Sequence, residues 1–217
     1  MGTRNLTCII KDNEFKLAQY GQWDGYFSYS GVKFLQFVKE HLQNKSKKRR
    51  QYFKEKFEEK VNALAPVSKE YLEVIQKTHD KFSSSSNKNE TNFAIPLNLM
   101  FPQFSRDTGV KILDIIYKLE PYELNGKKFP VFVDTSTDWV EFINILDLDN
   151  DKVYMLTYHE FKCEPLETSD LVSKTFPMPC WYACNIQDIP TIKEVEKYKE
   201  SIELDIWVDD NGEKHSN

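Results

Sequence analysis

Two short runs rich in β-branched and aromatic residues open the chain and predict a β-hairpin. They span residues 5–10 and 15–20, and the four polar residues between them supply the turn. Gly21 and Gly25 then interrupt the strand pattern. From about Gly31 onward, apolar residues recur at the spacing of one helix face, so a helix is predicted to begin there.

Residues 43–92 have a different character, because charged residues alternate along most of this region. Apolar residues at helical spacing predict two or more amphipathic helices within 43–82, interrupted near Pro66. The serine-rich stretch at residues 83–89 predicts a low-complexity, mobile loop. We interpret 43–92 as a charged helical insertion into a single domain that spans residues 1–217.

The second half of the chain predicts a helix, a set of strands and a final short helix. The apolar spacing from Val110 to Leu119 predicts a helix, with Ser105 or Asp107 as its N-cap. The later predicted elements are strands at 128–134, 139–148 and 152–158 and a helix at 192–201. The expected fold is α+β, with an antiparallel sheet built from the N-terminal hairpin and the later meander, packed with helices.

Composition and charge predict a protein with one large core and argue against nucleic-acid binding and membrane insertion. Hydrophobic residues make up 40% of the 217 residues and aromatic residues 14%, which is enough apolar surface for one large core. The net charge of −5 argues against nucleic-acid binding driven by phosphate contacts. No run of about 18 apolar residues is present, so we expect no membrane span. The chain also begins without an apolar leader, so we expect a cytoplasmic protein with reduced thiols.

Residues that could hold a metal do not occur at the spacing of a metal site. Cys180 and Cys184 are separated by three residues and have no companion pair, so we interpret them as packed thiols. The acidic stretch from Asp147 to Asp151 lacks the glycine and the distal glutamate of a calcium loop and predicts a hairpin turn. We expect neither a metal nor a cofactor.

The segment from Gln19 to Tyr26 is the first candidate binding site. It places amides, aromatic rings and a carboxylate within eight residues, a mixture that suits stacking on a planar ligand while binding its edges. The side chains that we assign to the ligand here are Gln19, Gln22, Trp23, Asp24 and Tyr26. The alternative is a structured turn in which Asp24 caps backbone amides and the rings pack into the core.

A second candidate segment is Ser105-Arg-Asp-Thr108. Arg106 supplies a guanidinium fork, while Ser105, Asp107 and Thr108 add polar groups at a predicted helix start, an arrangement able to hold a phosphate or carboxylate. The alternative is a helix cap with Arg106 paired to a surface acid.

Two further residues are candidates for the same site. Arg4 precedes the first strand and would add a second cation, although a terminal arginine is commonly a solvated charge. Glu141 lies in a predicted strand, where a carboxylate on the buried face would need a partner such as an arginine.

Three motifs together resemble a known family. They are Gly2-Thr-Arg-Asn-Leu-Thr7, Ala18-Gln-Tyr-Gly-Gln-Trp-Asp-Gly-Tyr26 and Ser105-Arg-Asp-Thr-Gly-Val-Lys-Ile-Leu113. Their order and spacing, over residues 2–158 without 43–92, resemble an uncharacterised family of small proteins found in bacteriophages, bacteria and fungi. The resemblance implies that the three segments form one site, and it supplies no established activity.

The chain departs from that family at two places. Phe27-Ser-Tyr-Ser30 stands where the family has a turn of the Pro-Glu-Gly-Gln type, which implies a reshaped loop after Asp24 and an altered ligand. The family also has a Cys-Glu pair before a later strand, and this chain matches only the glutamate, at Glu141. A role for a cysteine at that position therefore has no support.

The leading functional hypothesis is a protein that binds a small anionic, nucleotide-like ligand. Trp23 and Tyr26 would stack on the ligand, and Arg4 and Arg106 would bind its anionic group. In a phage setting, such a protein would sequester a nucleotide signal of host immunity in the host cytoplasm.

Two alternatives belong to other classes. One is a hydrolase for a small anionic substrate, with Asp24 or Glu141 as the general base. The other is a protein-interaction inhibitor that docks through the helices of 43–82. Homo-oligomerisation is left open by the sequence.

Overall fold

The computed structural model of the chain describes residues 3–43, 46–84, 101–120, 128–159, 164–191, 193–194, 206–208 and 214–216. The helices are α1 (Val32–His41), α2 (Lys47–Asn62), α3 (Lys69–Ser84), α4 (Ile112–Lys118) and α5 (Asp170–Thr175). The strands are β1 (Asn5–Lys11), β2 (Glu14–Gly21), β3 (Leu64–Pro66), β4 (Phe129–Val131), β5 (Phe142–Asp147), β6 (Lys152–Thr157), β7 (Cys180–Asn185), β8 (Ile206–Val208) and β9 (Lys214–Ser216). None of the described helices has the length and apolar character that crossing a membrane requires.

Within the described residues, a mixed five-stranded sheet has the strand order β2-β1-β5-β6-β7. The β1–β2 hairpin and the β5–β6 hairpin are antiparallel, as the sequence predicts, and the α+β class is confirmed. The two hairpins are joined through a parallel pair, β1 with β5. Strand β7, which the sequence analysis did not predict, pairs antiparallel with β6.

The two faces of the sheet are covered by different elements. Ile9 and Leu17 face a core shared with α1, α2 and α4, while Cys8 and Ile10 face a smaller core. Val172 of α5 belongs to the smaller core. Successive strand residues point to opposite faces, so β1 contributes to both cores.

The region predicted as a helical insertion contains α2 and α3, with β3 at the predicted break near Pro66. Phe57 and Val61 of α2 are buried in the larger core, so this helix is part of the main packing. Strand β3 pairs in parallel with β4. The classification of 43–92 as an insertion stays a prediction. Residues 85–92 and most of the predicted helix at 192–201 lie outside the described residues.

His41, at the end of α1, makes fold stability depend on pH. Its ring centroid lies 4.0 Å from that of Tyr117 and 4.8 Å from that of Phe37. Burial lowers the pKa of His41 below its ordinary value of 6.5. As pH falls through 6.5, the unfolded chain therefore binds a proton before the folded chain does, and the free energy of unfolding falls.

We predict that His41→Phe, which keeps a ring in this stack, removes that pH dependence. Urea unfolding between pH 7.5 and 5.5 checks this. The wild type is expected to lose stability relative to His41→Phe as pH falls, and parallel curves for the two proteins would contradict the assignment.

Candidate functional site

The two candidate segments meet at one end of the sheet. The backbone N–H of Gln22 donates to the carbonyl of Arg106 over 2.7 Å, and Nε2 of Gln19 donates to the carbonyl of Ser105 over 3.2 Å. Gly21 and Gly109 lie backbone to backbone, because a Cβ atom on Gly21 would stand 2.9 Å from the Cα of Gly109. Gly109 itself has φ +45°, a conformation that favours glycine.

A cavity of about 260 Å³ opens where these segments meet. We call it the Trp23 cleft. Its lining residues are Asn5, Gly21, Trp23, Asp24, Tyr29, Ser30, Lys33, Asp107, Thr108, Gly109, Val110 and Lys111. They come from the start of β1, the end of β2, the start of α1 and the turn before α4, so four separate parts of the chain build the cleft.

A buried hydrogen-bond network forms the floor of the Trp23 cleft. Asn144 Nδ2 donates to Ser30 Oγ over 3.0 Å, and Ser30 Oγ donates to Asn5 Oδ1 over 3.4 Å. Asn5 Nδ2 in turn donates to the carbonyls of Gly21 and Trp23, at 3.3 Å and 3.2 Å. Asn5, Ser30 and Asn144 are all buried. The network therefore fixes the backbone of Trp23 from inside the sheet.

Aromatic and charged side chains form the walls of the cleft. The side chain of Trp23 is 56% exposed, and Tyr29 is also exposed. Lys33 Nζ lies 3.7 Å from the centre of the Tyr29 ring, a cation–π contact that holds the ammonium group at the wall. Among the residues that line the cleft, two lysines and two aspartates carry charge, so the charges of the wall balance.

The structure distributes the predicted site residues over three places. Trp23, Asp24, Asp107 and Thr108 line the Trp23 cleft. Gln19, Ser105 and Arg106 line a different cavity, of about 310 Å³, with apolar walls and with Asp134 and Asp138 among its lining residues. Arg4 and Glu141 contact each other, and Tyr26 lies near them against Phe142. Gln22 accepts a hydrogen bond from the Tyr20 hydroxyl.

The two arginines therefore do not flank Trp23 as the sequence analysis expected. Arg106 lines the second cavity, and the guanidinium of Arg4 lies near Trp139. The cause for Arg4 is strand alternation. Asn5 points to the face covered by α1, α2 and α4, where it reaches Ser30. Arg4, one residue earlier, points to the opposite face. The cations that line the cleft are Lys33 and Lys111.

Glu141 has partners, but not the arginine side chain that was expected. It accepts a hydrogen bond from the backbone N–H of Arg4 over 3.2 Å. Its other oxygen lies 3.9 Å from Nε2 of His159, whose ring stacks on Phe142 with centroids 5.0 Å apart. Glu141 stands just before β5 rather than within a strand.

The expected N-cap at Ser105 or Asp107 is wrong, because the helix begins later. A 3₁₀ turn at Gly109–Lys111 precedes α4, which starts at Ile112. Ser105 Oγ instead accepts the backbone N–H of Asp107 over 3.1 Å. Ser105 and Asp107 thus belong to a turn before the helix, and Asp107 lines the cleft.

Five lining residues with polar side chains were not predicted as site residues, namely Asn5, Tyr29, Ser30, Lys33 and Lys111. Tyr29 lies in the π-helical turn at Phe27–Gly31, before the predicted start of the helix, so no sequence signal indicated its contact with Lys33. Asn5 was visible only as a polar residue at the start of an apolar strand.

The cysteines of β7 are packed, as expected. Burial raises the pKa of Cys180 to about 11, so its thiol stays protonated at neutral pH. Cys184 donates to the hydroxyl of Tyr182. Neither thiol is therefore prepared to act as a nucleophile.

A scan against protein-family models, a search of curated proteins and a search of solved structures found no match for this chain. Its function is therefore inferred from the geometry and chemistry of the Trp23 cleft.

Proposed function

We propose that the protein binds a small nucleotide-like molecule in the Trp23 cleft. The observation that carries the proposal is one cleft that combines an exposed indole with two lysines and two carboxylates. An exposed indole face is a stacking surface for a base. The ammonium groups of Lys33 and Lys111 are suited to a phosphate, and the carboxylates of Asp24 and Asp107 accept hydrogen bonds from the amino and ring N–H groups of a base.

The balance of charge argues for a ligand with mixed chemistry. A simple polyanion would gain from two lysines but would be repelled by two aspartates. A nucleotide carries an anionic phosphate at one end and hydrogen-bond donors on its base at the other, so it can satisfy both kinds of group. The volume of about 260 Å³ suits a mononucleotide or one half of a larger ligand.

The biological role that we propose is sequestration. For a phage-encoded chain, tight binding without turnover would remove a nucleotide signal of host immunity from the host cytoplasm. Reduced thiols fit that compartment, and the described cysteines Cys8, Cys180 and Cys184 are free.

A thermal-shift panel of nucleoside mono-, di- and triphosphates tests the proposal. At 100 times its dissociation constant, a ligand stabilises the folded state by about 2.7 kcal/mol, which for a chain of this length raises Tm by roughly 5–10 °C. We expect at least one nucleotide to give such a shift, and the double variant Lys33→Ala/Lys111→Ala to reduce it strongly.

The matched control is Lys77→Ala/Lys174→Ala, which removes two exposed lysines that form only surface ion pairs. This control is expected to keep the nucleotide shift. A panel in which no nucleotide changes Tm would refute the proposed function.

A hydrolase is the second candidate, and the Glu141–His159 pair favours it. A carboxylate 3.9 Å from an imidazole nitrogen can support proton transfer to or from a substrate. Chromatography of the nucleotide after long incubation with the protein separates the two candidates. Sequestration leaves the nucleotide intact, whereas hydrolysis yields product that His159→Ala abolishes.

A further inference from the structure

A second exposed tryptophan, Trp139, lies at the same end of the sheet and is paired with an arginine. It is 77% exposed, and its backbone has φ +71°, a conformation that is rare for a bulky residue. The guanidinium of Arg4 lies 5.6 Å from the centre of the Trp139 ring, and Arg4 Nη1 donates to the Trp139 carbonyl over 3.4 Å. An indole is thus held open to solvent beside a cation.

The two exposed tryptophans are anchored by consecutive residues of the chain. Asn5 Nδ2 donates to the carbonyl of Trp23, and the Arg4 side chain donates to the carbonyl of Trp139. The start of β1 therefore holds the backbones of both tryptophans at the same end of the sheet. The loop after Trp23 also lies on this strand start, since the N–H of Gly25 donates to the carbonyl of Thr3 over 3.0 Å.

Arg4 keeps most of its binding capacity in this arrangement. Glu141 engages the backbone N–H of Arg4 and not its side chain. In the part of the chain that the structure describes, no carboxylate lies within ion-pair distance of the Arg4 guanidinium. Of the five N–H donors of the guanidinium, the structure uses one on the Trp139 carbonyl. The remaining donors are available to an anion that lies beside Trp139.

We propose that the ligand is a dinucleotide, with one base on Trp23 in the cleft, the second base on Trp139, and the linking phosphate on Arg4. This inference rests on the proposed function of the Trp23 cleft and extends it. It also gives a role to Arg4, whose guanidinium lies beside Trp139, away from the lysines of the cleft. Two exposed indoles held by the start of β1, one of them beside a cation, match two bases joined by one phosphate.

The test compares AMP with the dinucleotide pApA by isothermal titration calorimetry, for the wild type and for Trp139→Gly. Glycine suits the left-handed backbone at this position, so the variant is expected to fold normally with an unchanged Tm. The wild type should bind pApA at least about fivefold more tightly than AMP, since one further stacked base contributes that much or more. Trp139→Gly should lose this advantage and bind AMP as the wild type does.

The matched control is Tyr158→Ala, which removes another aromatic ring, 54% exposed, just beyond the end of β6. It should keep the preference for pApA. Equal affinities of the wild type for AMP and pApA, or an unchanged preference in Trp139→Gly, would overturn the dinucleotide inference and leave the Trp23 cleft as a mononucleotide site. Failure of the wild type to bind either molecule would overturn the dinucleotide inference, whereas the proposed function is overturned only if no nucleotide of the thermal-shift panel changes Tm.

Discussion

Replacing Gly21 with alanine is expected to destabilise the fold by about 2–3 kcal/mol and to weaken nucleotide binding at least about tenfold. The added Cβ would stand 2.9 Å from the Cα of Gly109 and 2.7 Å from Nδ2 of Asn5. Because the Gly109 contact is with backbone, no side-chain rotation relieves it. The substitution therefore pushes apart the two segments that form the Trp23 cleft. Urea unfolding measures the loss of stability, and calorimetric titration measures the loss of nucleotide affinity.

Gln22→Ala is the matched control for this prediction. It changes the neighbouring residue but keeps the backbone hydrogen bond from Gln22 to Arg106. It loses only the side-chain hydrogen bond with Tyr20, for a cost of about 1 kcal/mol. A contradicting result would be a free energy of unfolding for Gly21→Ala within about 0.5 kcal/mol of the wild type, together with unchanged nucleotide affinity. The tight contact between the two segments would then not be essential to the cleft.

Replacing Trp23 with alanine has the largest effect that we predict on binding alone. Loss of a stacked base weakens binding by about 1–3 kcal/mol, or roughly fivefold to 150-fold in affinity. Stability should stay within about 0.5 kcal/mol of the wild type, because the side chain is largely exposed and its backbone is held by Asn5. Calorimetric titration and urea unfolding measure the two quantities separately.

Tyr52→Ala on α2 is the control, since Tyr52 is 55% exposed and does not line the Trp23 cleft. It should leave nucleotide affinity unchanged. An equal loss of affinity in both variants would point to a general effect of removing surface aromatic residues, and no loss in Trp23→Ala would remove the stacking role.

The N-terminal hairpin could be predicted from the sequence because its information is local. Residues 5–10 and 15–20 carry the composition of strands, and a short polar turn brings them together. The parallel pairing of β1 with β5 could not be predicted from local sequence patterns. It joins residues more than 130 positions apart, and no local pattern specifies which strand lies beside β1.

Four of the twelve residues that line the cleft could be predicted for the same reason. Trp23 and Asp24 follow a predicted strand, and Asp107 and Thr108 precede a predicted helix, so each pair was visible as a polar cluster at the end of an element. The adjacency of the two clusters depends on the contact of Gly21 with Gly109, which the sequence showed only as two glycines. Resemblance to a family suggested one shared site, and the positions of the two arginines departed from that expectation.

The two cations of the cleft escaped prediction for different reasons. Lys33 lies near the predicted start of α1, but its contact with Tyr29 depends on a π-helical turn at Phe27–Gly31 that the sequence did not predict. Lys111 reaches the cleft because α4 begins after a 3₁₀ turn and not at Ser105. A shift of a few residues in a helix start changes which side chains face a neighbouring loop.

Stacking of a nucleotide on Trp23 can be observed in the indole N–H signals of a ¹H–¹⁵N correlation spectrum. The chain has four tryptophans, and single Trp→Phe variants assign their signals. On titration with a nucleotide that raises Tm, the Trp23 signal is predicted to shift or broaden while that of the buried Trp181 stays in place. A saturating nucleotide that leaves the Trp23 signal unmoved would contradict the account.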